Sequence, residues 1–385
     1  MLTRRSILAG GLATALLGRG AFAQQPANDP LQALIDEECA RARAQQNAKL
    51  ALVLGMVGPQ GKGRLLFAGS DGLTNPMGQP LALDARTPFE IGSISKVFTS
   101  ALHYRTHGPF QGTLGSWLGN SATLSSGVAA LTLENLATYR PGLPQDNQGG
   151  AYPPGTLMNF KSLFGYLSSY QPPSAQGTCY VYSNLGWSLL AMAGTGIAGA
   201  TAEGFANRYN RKLKDFCATF GAPDTAWFRP DMKPRLPLGY TKPWRPLPPG
   251  TPYRPVSPTG VGSGGIISTG ADMLAYLRLN MGLLEGGLSD PALAYQQGAG
   301  IQTPACKGQG APHTSYGWFR ASMQTPGGPV TVLNKNGGVA GFTSWMGFSA
   351  WQGTGKPSPY GLFVLANGPV ATPTGLRAMK QLLGV

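Results

Sequence analysis

A serine hydroxyl becomes a useful nucleophile when a base sits beside it to take its proton. The chain offers such a pair in Ser93-Ile94-Ser95-Lys96, its single Ser-x-x-Lys. Residues three apart on a helix share a face, so the Ser93 hydroxyl and the Lys96 amine can meet. A free lysine, with a pKa of about 10.4, is mostly protonated at neutral pH. Partial burial and a second cation nearby would lower that value and let Lys96 accept the serine proton. A helix N-terminus at Ser93 adds unpaired N–H groups and a positive dipole end, both of which favour a developing oxyanion.

Two further groups fit the same chemistry. Tyr182-Ser183-Asn184 is the single Tyr-x-Asn of the chain, and it precedes an apolar helix from Leu185, where a loop can present both side chains. Lys335-Asn336-Gly337-Gly338 follows a predicted strand from Pro329 to Leu333. A lysine there can hold a substrate carboxylate, and the glycines let backbone N–H groups approach a reacting carbonyl.

Histidine chemistry fares worse. His103, His107 and His313 are the complete set, and no Gly-x-Ser-x-Gly occurs. His103 and His107 share a helix face, but no Glu lies between them in the manner of a His-Glu-x-x-His metal site. They read as surface or packing residues, and no metal or cofactor is expected. Gly260-Val261-Gly262-Ser263-Gly264-Gly265 matches a dinucleotide fingerprint, but a Pro-rich loop precedes it where that fingerprint needs a strand. It reads as a Gly-rich turn or strand entry beside the active site.

The elements that must carry these groups follow from periodicity. Leu31, Leu34, Ile35 and Ala42 predict a helix over about 29–47. Lys49 to Val57 and Arg64 to Ala68 predict two strands joined by a Gly-rich turn. Ile94, Val97, Phe98, Ala101 and Leu102 give the helix begun at Ser93 one buried face. Helices are expected at Leu131 to Ala137, Asn184 to Ala193 and 271–284. Pro329 to Leu333, Phe342 to Ser349 and Gly361 to Ala366 predict an antiparallel meander, closed by a helix from Gly375 to Leu383. The segment from Pro230 to Pro258 holds ten prolines and is expected to lack regular structure. Its Lys233, Arg235, Lys242, Arg245 and Arg254 beside Tyr240, Trp244 and Tyr253 read either as a stiff crossover loop or as a polymer-binding surface.

Taken together, Ser-x-x-Lys, Tyr-x-Asn and a Lys-x-Gly element in this order resemble the penicillin-binding protein and serine β-lactamase superfamily. The separations, 89 residues from Ser93 to Tyr182 and 153 from Tyr182 to Lys335, are similar to the class C branch. Phe89-Glu90-Ile91-Gly92, Leu131 to Ala137 running on to Gly142-Leu143-Pro144, and Gly262-Ser263-Gly264-Gly265 agree with it. The resemblance covers roughly residues 30–380. It implies an α+β fold: an antiparallel sheet flanked by helices, with an inserted, mainly helical domain. It implies Ser93 as nucleophile, Lys96 as base partner, Tyr182 sharing proton transfer and Asn184 orienting the substrate amide. Lys335 would bind a substrate carboxylate, with Asn336, Gly337 and Gly338 lining the same site. The N–H groups of Ser93 and Gly338 would form the oxyanion hole. Two positions depart from the pattern: Asn336 replaces the usual Thr, and Tyr139-Arg140-Pro141 stands where relatives often carry His-Thr-Ser.

Bulk properties set the context. The 385 residues are 42% hydrophobic and 12% charged, with a formal net charge of +14. Residues 1–23 read as a twin-arginine leader, with Thr3-Arg4-Arg5-Ser6 before a short apolar stretch and Ala21-Phe22-Ala23 before a cleavage point. Removing its three arginines leaves +11, a balance that suits an anionic polymer or serves solubility, and no nucleic-acid motif accompanies it. No segment is long and apolar enough to span a bilayer, so a periplasmic or secreted protein is expected. Export permits disulfides among Cys39, Cys179, Cys217 and Cys306, with three possible pairings or free buried thiols. The expected layout is a sheet domain from 24–108 and 259–385 with a helical insert at 109–258. The expected function is that of a D-alanyl-D-alanine carboxypeptidase/endopeptidase acting on peptidoglycan peptides and binding β-lactams. Alternatives are a class C-like β-lactamase, an esterase on the same fold, or a non-catalytic penicillin-binding sensor.

Overall fold

Ala51–Val57 (β1) is an almost uninterrupted apolar run, and successive side chains of a strand point to opposite faces. Ala51, Val53 and Val57 therefore join one hydrophobic core, while Leu52 and Leu54 join a second on the opposite face. A sheet buried on both sides needs this kind of run. The computed structural model describes residues 29–385 apart from 59, 145–152, 154, 173–174, 228–229, 249–256, 285–290, 299, 307–311 and 350–359. The expected leader and Tyr253 and Arg254 lie outside the described residues.

β1 sits in an eight-stranded antiparallel sheet with Gly63–Gly69 (β2), Ile301–Gln302 (β3), His313–Thr314 (β4), Phe319–Thr325 (β5), Gly328–Val339 (β6), Phe342–Ser349 (β7) and Gly361–Ala366 (β8). The order across the sheet is β2-β1-β8-β7-β6-β5-β4-β3, so strands from both ends of the chain meet at the β1–β8 pair. Helices Pro30–Gln46 (α1) and Ala371–Leu383 (α5) cover one face, contributing Leu31, Ile35, Ala378 and Met379 to its core. Ser95–His107 (α2), Asn184–Thr195 (α3) and Gly270–Asn280 (α4) contribute to the core on the other face. Arg377 reaches Glu37 and the buried Glu38 of α1, and the exposed Arg377–Glu37 pair contributes about 0–1 kcal/mol. Each fully buried Leu or Ile stabilises by about 1.5–3 kcal/mol, so the two apolar faces dominate.

Local chemistry fixes the helix ends. Asp29 caps α1 by accepting from the Leu31 N–H, with Pro30 in the first turn. Ser183 caps α3 by accepting from Gly186 N–H. Since Ser183 lies between Tyr182 and Asn184, this cap also orients the Tyr-x-Asn element.

Three expectations are corrected. The α-helix begins at Ser95, and Ser93 sits in a 3-10 turn, Gly92–Ile94, ahead of it. Lys335 to Gly338 lie within β6, which runs on to Val339, because each still pairs with β7. The Pro-rich segment carries a 3-10 turn at Pro230–Arg235 and a hairpin of Tyr240–Thr241 with Arg245–Pro246. Tyr240 and Trp244 are buried in the α1–α5 core, so they are packing residues and not a stacking platform for a polymer. Strand β5 was not expected, although Phe319, Ala321 and Met323 alternate with Arg320, Ser322 and Gln324; none of its residues is fully buried.

Candidate active site

Ser93 is presented by two converging backbones. The strand Pro88–Glu90 pairs with Ile266–Thr269, and the Ile91 N–H continues the contact to the Ile266 carbonyl at 3.0 Å. The Ile91 carbonyl then accepts from Ser344 Oγ of β7 at 2.7 Å. Gly92 follows with φ +50, and a β-carbon there would stand 2.5 Å from the Gly338 nitrogen. Glycine is thus required at 92 both for its dihedral and for its closeness to β6. The same packing brings the Ser93 turn beside Gly338, where two backbone N–H groups can converge on one oxygen.

Lys96, one turn on, is fully buried. Its Nζ donates to Ser93 Oγ at 2.9 Å, Asn184 Oδ1 at 2.6 Å and the Ser263 carbonyl at 2.5 Å. A protonated lysine has three donor hydrogens, and three acceptors from three different segments fix Nζ in place. Ser263 belongs to the Gly-rich segment, which forms a short helix, Val261–Gly264, leading into the strand Ile266–Thr269. It is a strand entry beside the site, as the sequence implied.

Tyr182 lies between the two lysines: Lys96 Nζ is 5.0 Å and Lys335 Nζ 5.3 Å from its ring centroid. Lys335 is also fully buried, with Nζ 5.0 Å from the Phe319 ring, and donates to the carbonyl of Asn336 at 2.7 Å and to its Oδ1 at 3.3 Å. Burial first, and the Lys96 charge second, hold the Lys335 ammonium well below the usual lysine range.

Ser93, Tyr182, Asn184, Asn336 and Gly338, together with Leu157, Tyr180, Phe319 and Val339, line a cavity of about 660 Å³, and the buried Lys96 and Lys335 lie behind that lining. The sequence reading thus places Ser93, Lys96, Tyr182, Asn184, Lys335, Asn336, Gly337 and Gly338 in one neighbourhood. Gly337 is buried against Ile91 and does not face the cavity.

Other residues of the site were not legible in the sequence. Tyr139, one of the two departures from the family pattern, stacks on Tyr182 with centroids 5.5 Å apart and on Phe319 at 5.4 Å. Its hydroxyl donates to the Gly317 carbonyl at 2.8 Å, and it holds φ 60, a left-handed conformation rare for a bulky residue. Its Oη–Gly317 bond and stacked rings over-determine that conformation and make a wall behind Tyr182. His103 stands apart, stacked on Phe110 at 4.8 Å as a packing residue, and His107 Nε2 lies 2.7 Å from the Gly194 carbonyl. No group of three or more His, Cys, Asp or Glu able to hold a metal occurs among the described residues. Cys179 pairs with Cys306, and Cys39 and Cys217 are buried free thiols.

An antiparallel sheet flanked by helices, with a Ser–Lys pair at its cleft, defines a serine hydrolase of the β-lactamase fold. The chain belongs to the beta-lactamase family, whose model matches residues 56–383. Among curated relatives it is similar to the D-alanyl-D-alanine-carboxypeptidase/endopeptidase AmpH of Escherichia coli strain K12, 27% identical over 234 residues. That match covers 56% of this chain and 54% of the relative, so the chain spans about half the length of the curated relative. Among solved structures, a class C beta-lactamase superposes with a TM-score of 0.69 at 19% identity, covering 94% of this chain and 98% of the other. D-alanine carboxypeptidase AmpC from Burkholderia cenocepacia superposes with a TM-score of 0.67 at 21% identity, covering 92% and 98%. No helix among the described residues is long and apolar enough to cross a membrane.

Proposed function

We propose that the protein is an exported D-alanyl-D-alanine carboxypeptidase/endopeptidase that cleaves peptidoglycan peptides through an acyl-enzyme at Ser93 and also binds β-lactams. The observation that carries this reading is the 2.9 Å contact between Lys96 Nζ and Ser93 Oγ at the floor of the cleft. Lys96 acts in its neutral form, in which Nζ keeps two N–H donors and turns its lone pair to Ser93, and takes the Ser93 proton as Oγ bonds to the substrate carbonyl. The N–H groups of Ser93 and Gly338 receive the negative oxygen of the tetrahedral intermediate. Tyr182 relays that proton from Lys96 to the departing amine, leaving both residues as they began, and Asn184 orients the substrate amide while its Oδ1 holds Lys96. Water then attacks the ester and returns Ser93.

Lys335 and Asn336 receive the substrate's carboxylate end. An arriving anion opposes the burial that drives Lys335 toward neutrality, so binding favours its charged form. The net charge of +14, or +11 without the leader arginines, suits an anionic cell-wall polymer. Export by the twin-arginine leader puts the enzyme where that polymer is. In this account residues 109–258 are an insert between the two halves of a sheet domain, 24–108 and 259–385. The name of the Escherichia coli relative supports the peptidase reading.

The family description favours a second reading, hydrolysis of β-lactams, which uses the same acyl-serine and differs in how fast water removes it. Incubation with muropeptides separates the two. Release of D-alanine or cleavage of crosslinks, lost in Ser93→Ala, supports the peptidase. No cleavage, with rapid nitrocefin turnover instead, supports the β-lactamase.

A further inference from the structure

The loop that delivers Tyr182 is tied on both sides. Cys179, three residues before Tyr182, is disulfide-bonded to Cys306, with α-carbons 5.1 Å apart. Tyr180 forms an isolated parallel bridge with Ala305, and its N–H donates to the Pro304 carbonyl at 3.0 Å. The Val181 N–H donates to the Tyr139 carbonyl at 2.8 Å. Residues 179 to 181 are therefore each held by a different neighbour, and Tyr182 is the next residue. Pro304 to Cys306 follow β3, the edge strand of the main sheet, after the single residue Thr303. The cross-link thus joins the wall of the cleft to the sheet edge, across 127 residues of sequence.

Its place argues for a local role. Neither Cys179 nor Cys306 belongs to either hydrophobic core, whereas Tyr180 and Tyr182 pack at the margin of one. Both bridged cysteines are partly exposed, while Cys39 and Cys217 are buried. Thiol–disulfide exchange requires access, so a soluble dithiol reaches the bridge and not the two free thiols.

We propose that the Cys179–Cys306 cross-link is a positioning element for Tyr182, and that opening it displaces the Tyr180–Tyr182 wall and slows acylation while the fold persists. The catalytic consequence rests on the roles of Ser93 and Tyr182 given above. In the opening step a dithiol such as dithiothreitol supplies two electrons and two protons. The Sγ–Sγ bond breaks, two cysteine thiols form, and the reagent leaves as its cyclic disulfide.

The test compares oxidised protein, dithiothreitol-treated protein and the double variant Cys179→Ser/Cys306→Ser. Three quantities are read: β-lactam acylation resolved into pre-covalent binding and rate constant, hydrogen exchange by segment, and Tm. Reduction is expected to lower the acylation rate constant by roughly 10–100-fold, since displacements near 1 Å cost that much. Pre-covalent binding should change by less than about 3-fold, because the effect lies in proton transfer. Exchange should rise in residues 178–184 and 301–306 and stay unchanged in α1 and α5. The double variant should match the reduced protein and ignore dithiothreitol. Unchanged acylation and exchange with only a lower Tm would overturn the proposal and make the bridge a stability staple. So would global unfolding in both the reduced protein and the variant. If the oxidised protein is never acylated, the reading of Ser93 falls instead, and the exchange measurement alone decides the tether.

Discussion

Gly337 is packed so tightly against Ile91 that a β-carbon on it would overlap the Ile91 carbonyl oxygen, the acceptor of the Ser344 hydroxyl. The neighbouring Gly338 has no heavy atom within 4 Å of the same hypothetical position. The two glycines of one motif therefore do different jobs. Gly337 lets β6 close onto the Ser93 turn, and Gly338 offers its N–H at the cleft.

This contrast gives the first prediction. Gly337→Ala must move either the Ser93 turn or β6, and is expected to destabilise the fold by about 1–3 kcal/mol, as overpacking does. Acylation should fall with it. Gly338→Ala should change stability by no more than a surface substitution does, about 0.5 kcal/mol, with little shift in Tm. Equal Tm values for the two variants by calorimetry would contradict the packing account.

Lys96→Arg puts a permanent cation at position 96 and removes a base, because guanidinium does not deprotonate in proteins. Proton transfer by a positioned side chain contributes about 10²–10⁴-fold, so acylation should slow by at least the lower figure. Tyr182→Phe should slow it by a comparable factor with little change in Tm, since only the hydroxyl is lost. Stopped-flow acylation of each variant checks both, and a Lys96→Arg enzyme near wild-type rate would remove Lys96 from its proposed role.

Asn336→Thr replaces a carboxamide that accepts from Lys335 Nζ with a shorter hydroxyl. That substitution should act at the carboxylate end of the substrate, changing KM for peptides ending in a free carboxylate. Peptides carrying a C-terminal amide should respond less. Steady-state kinetics on the two peptide types read the difference, and equal effects on both would place Asn336 outside carboxylate recognition.

The pH dependence of stability has a clear sign at His103. Burial first, then the nearby His107 and Lys212, lower its pKa from 6.5 to about 3. The folded protein thus keeps the ring neutral where the unfolded chain takes up a proton. As pH falls from about 6.5 toward 3, that difference is lost from stability, amounting to about 2 kcal/mol at pH 5. His103→Leu should flatten this acid loss while leaving the pH 8 stability less changed. Parallel Tm–pH curves for variant and wild type would contradict it.

Much of this arrangement was legible in the chain because it rests on periodicity and short spacing. Ser93 and Lys96 meet across one turn even though that turn begins as 3-10, since either helix puts residues three apart on one side. The apolar runs of β1, β7 and β8 identified strands of an antiparallel sheet, and its burial on both faces came only with the fold. What stayed hidden depends on contacts distant in sequence. Ser263 serves through a backbone carbonyl, which carries no side-chain signature. Tyr139 acts through ring stacking and a left-handed backbone, and in sequence it was only a departure from a pattern. The choice of Cys179 and Cys306 as partners needed the fold, because only the packing of Tyr180 beside Ala305 brings them together.

The central claim is a covalent acyl-enzyme on Ser93, and intact-mass spectrometry with benzylpenicillin over time addresses it directly. The account predicts a mass increase equal to one penicilloyl group, located on Ser93 by peptide mapping and absent in Ser93→Ala. The rate at which that adduct drains separates peptidase from β-lactamase. A wild-type protein that gains no mass and turns over no substrate, or a Ser93→Ala variant that is labelled equally, would contradict it.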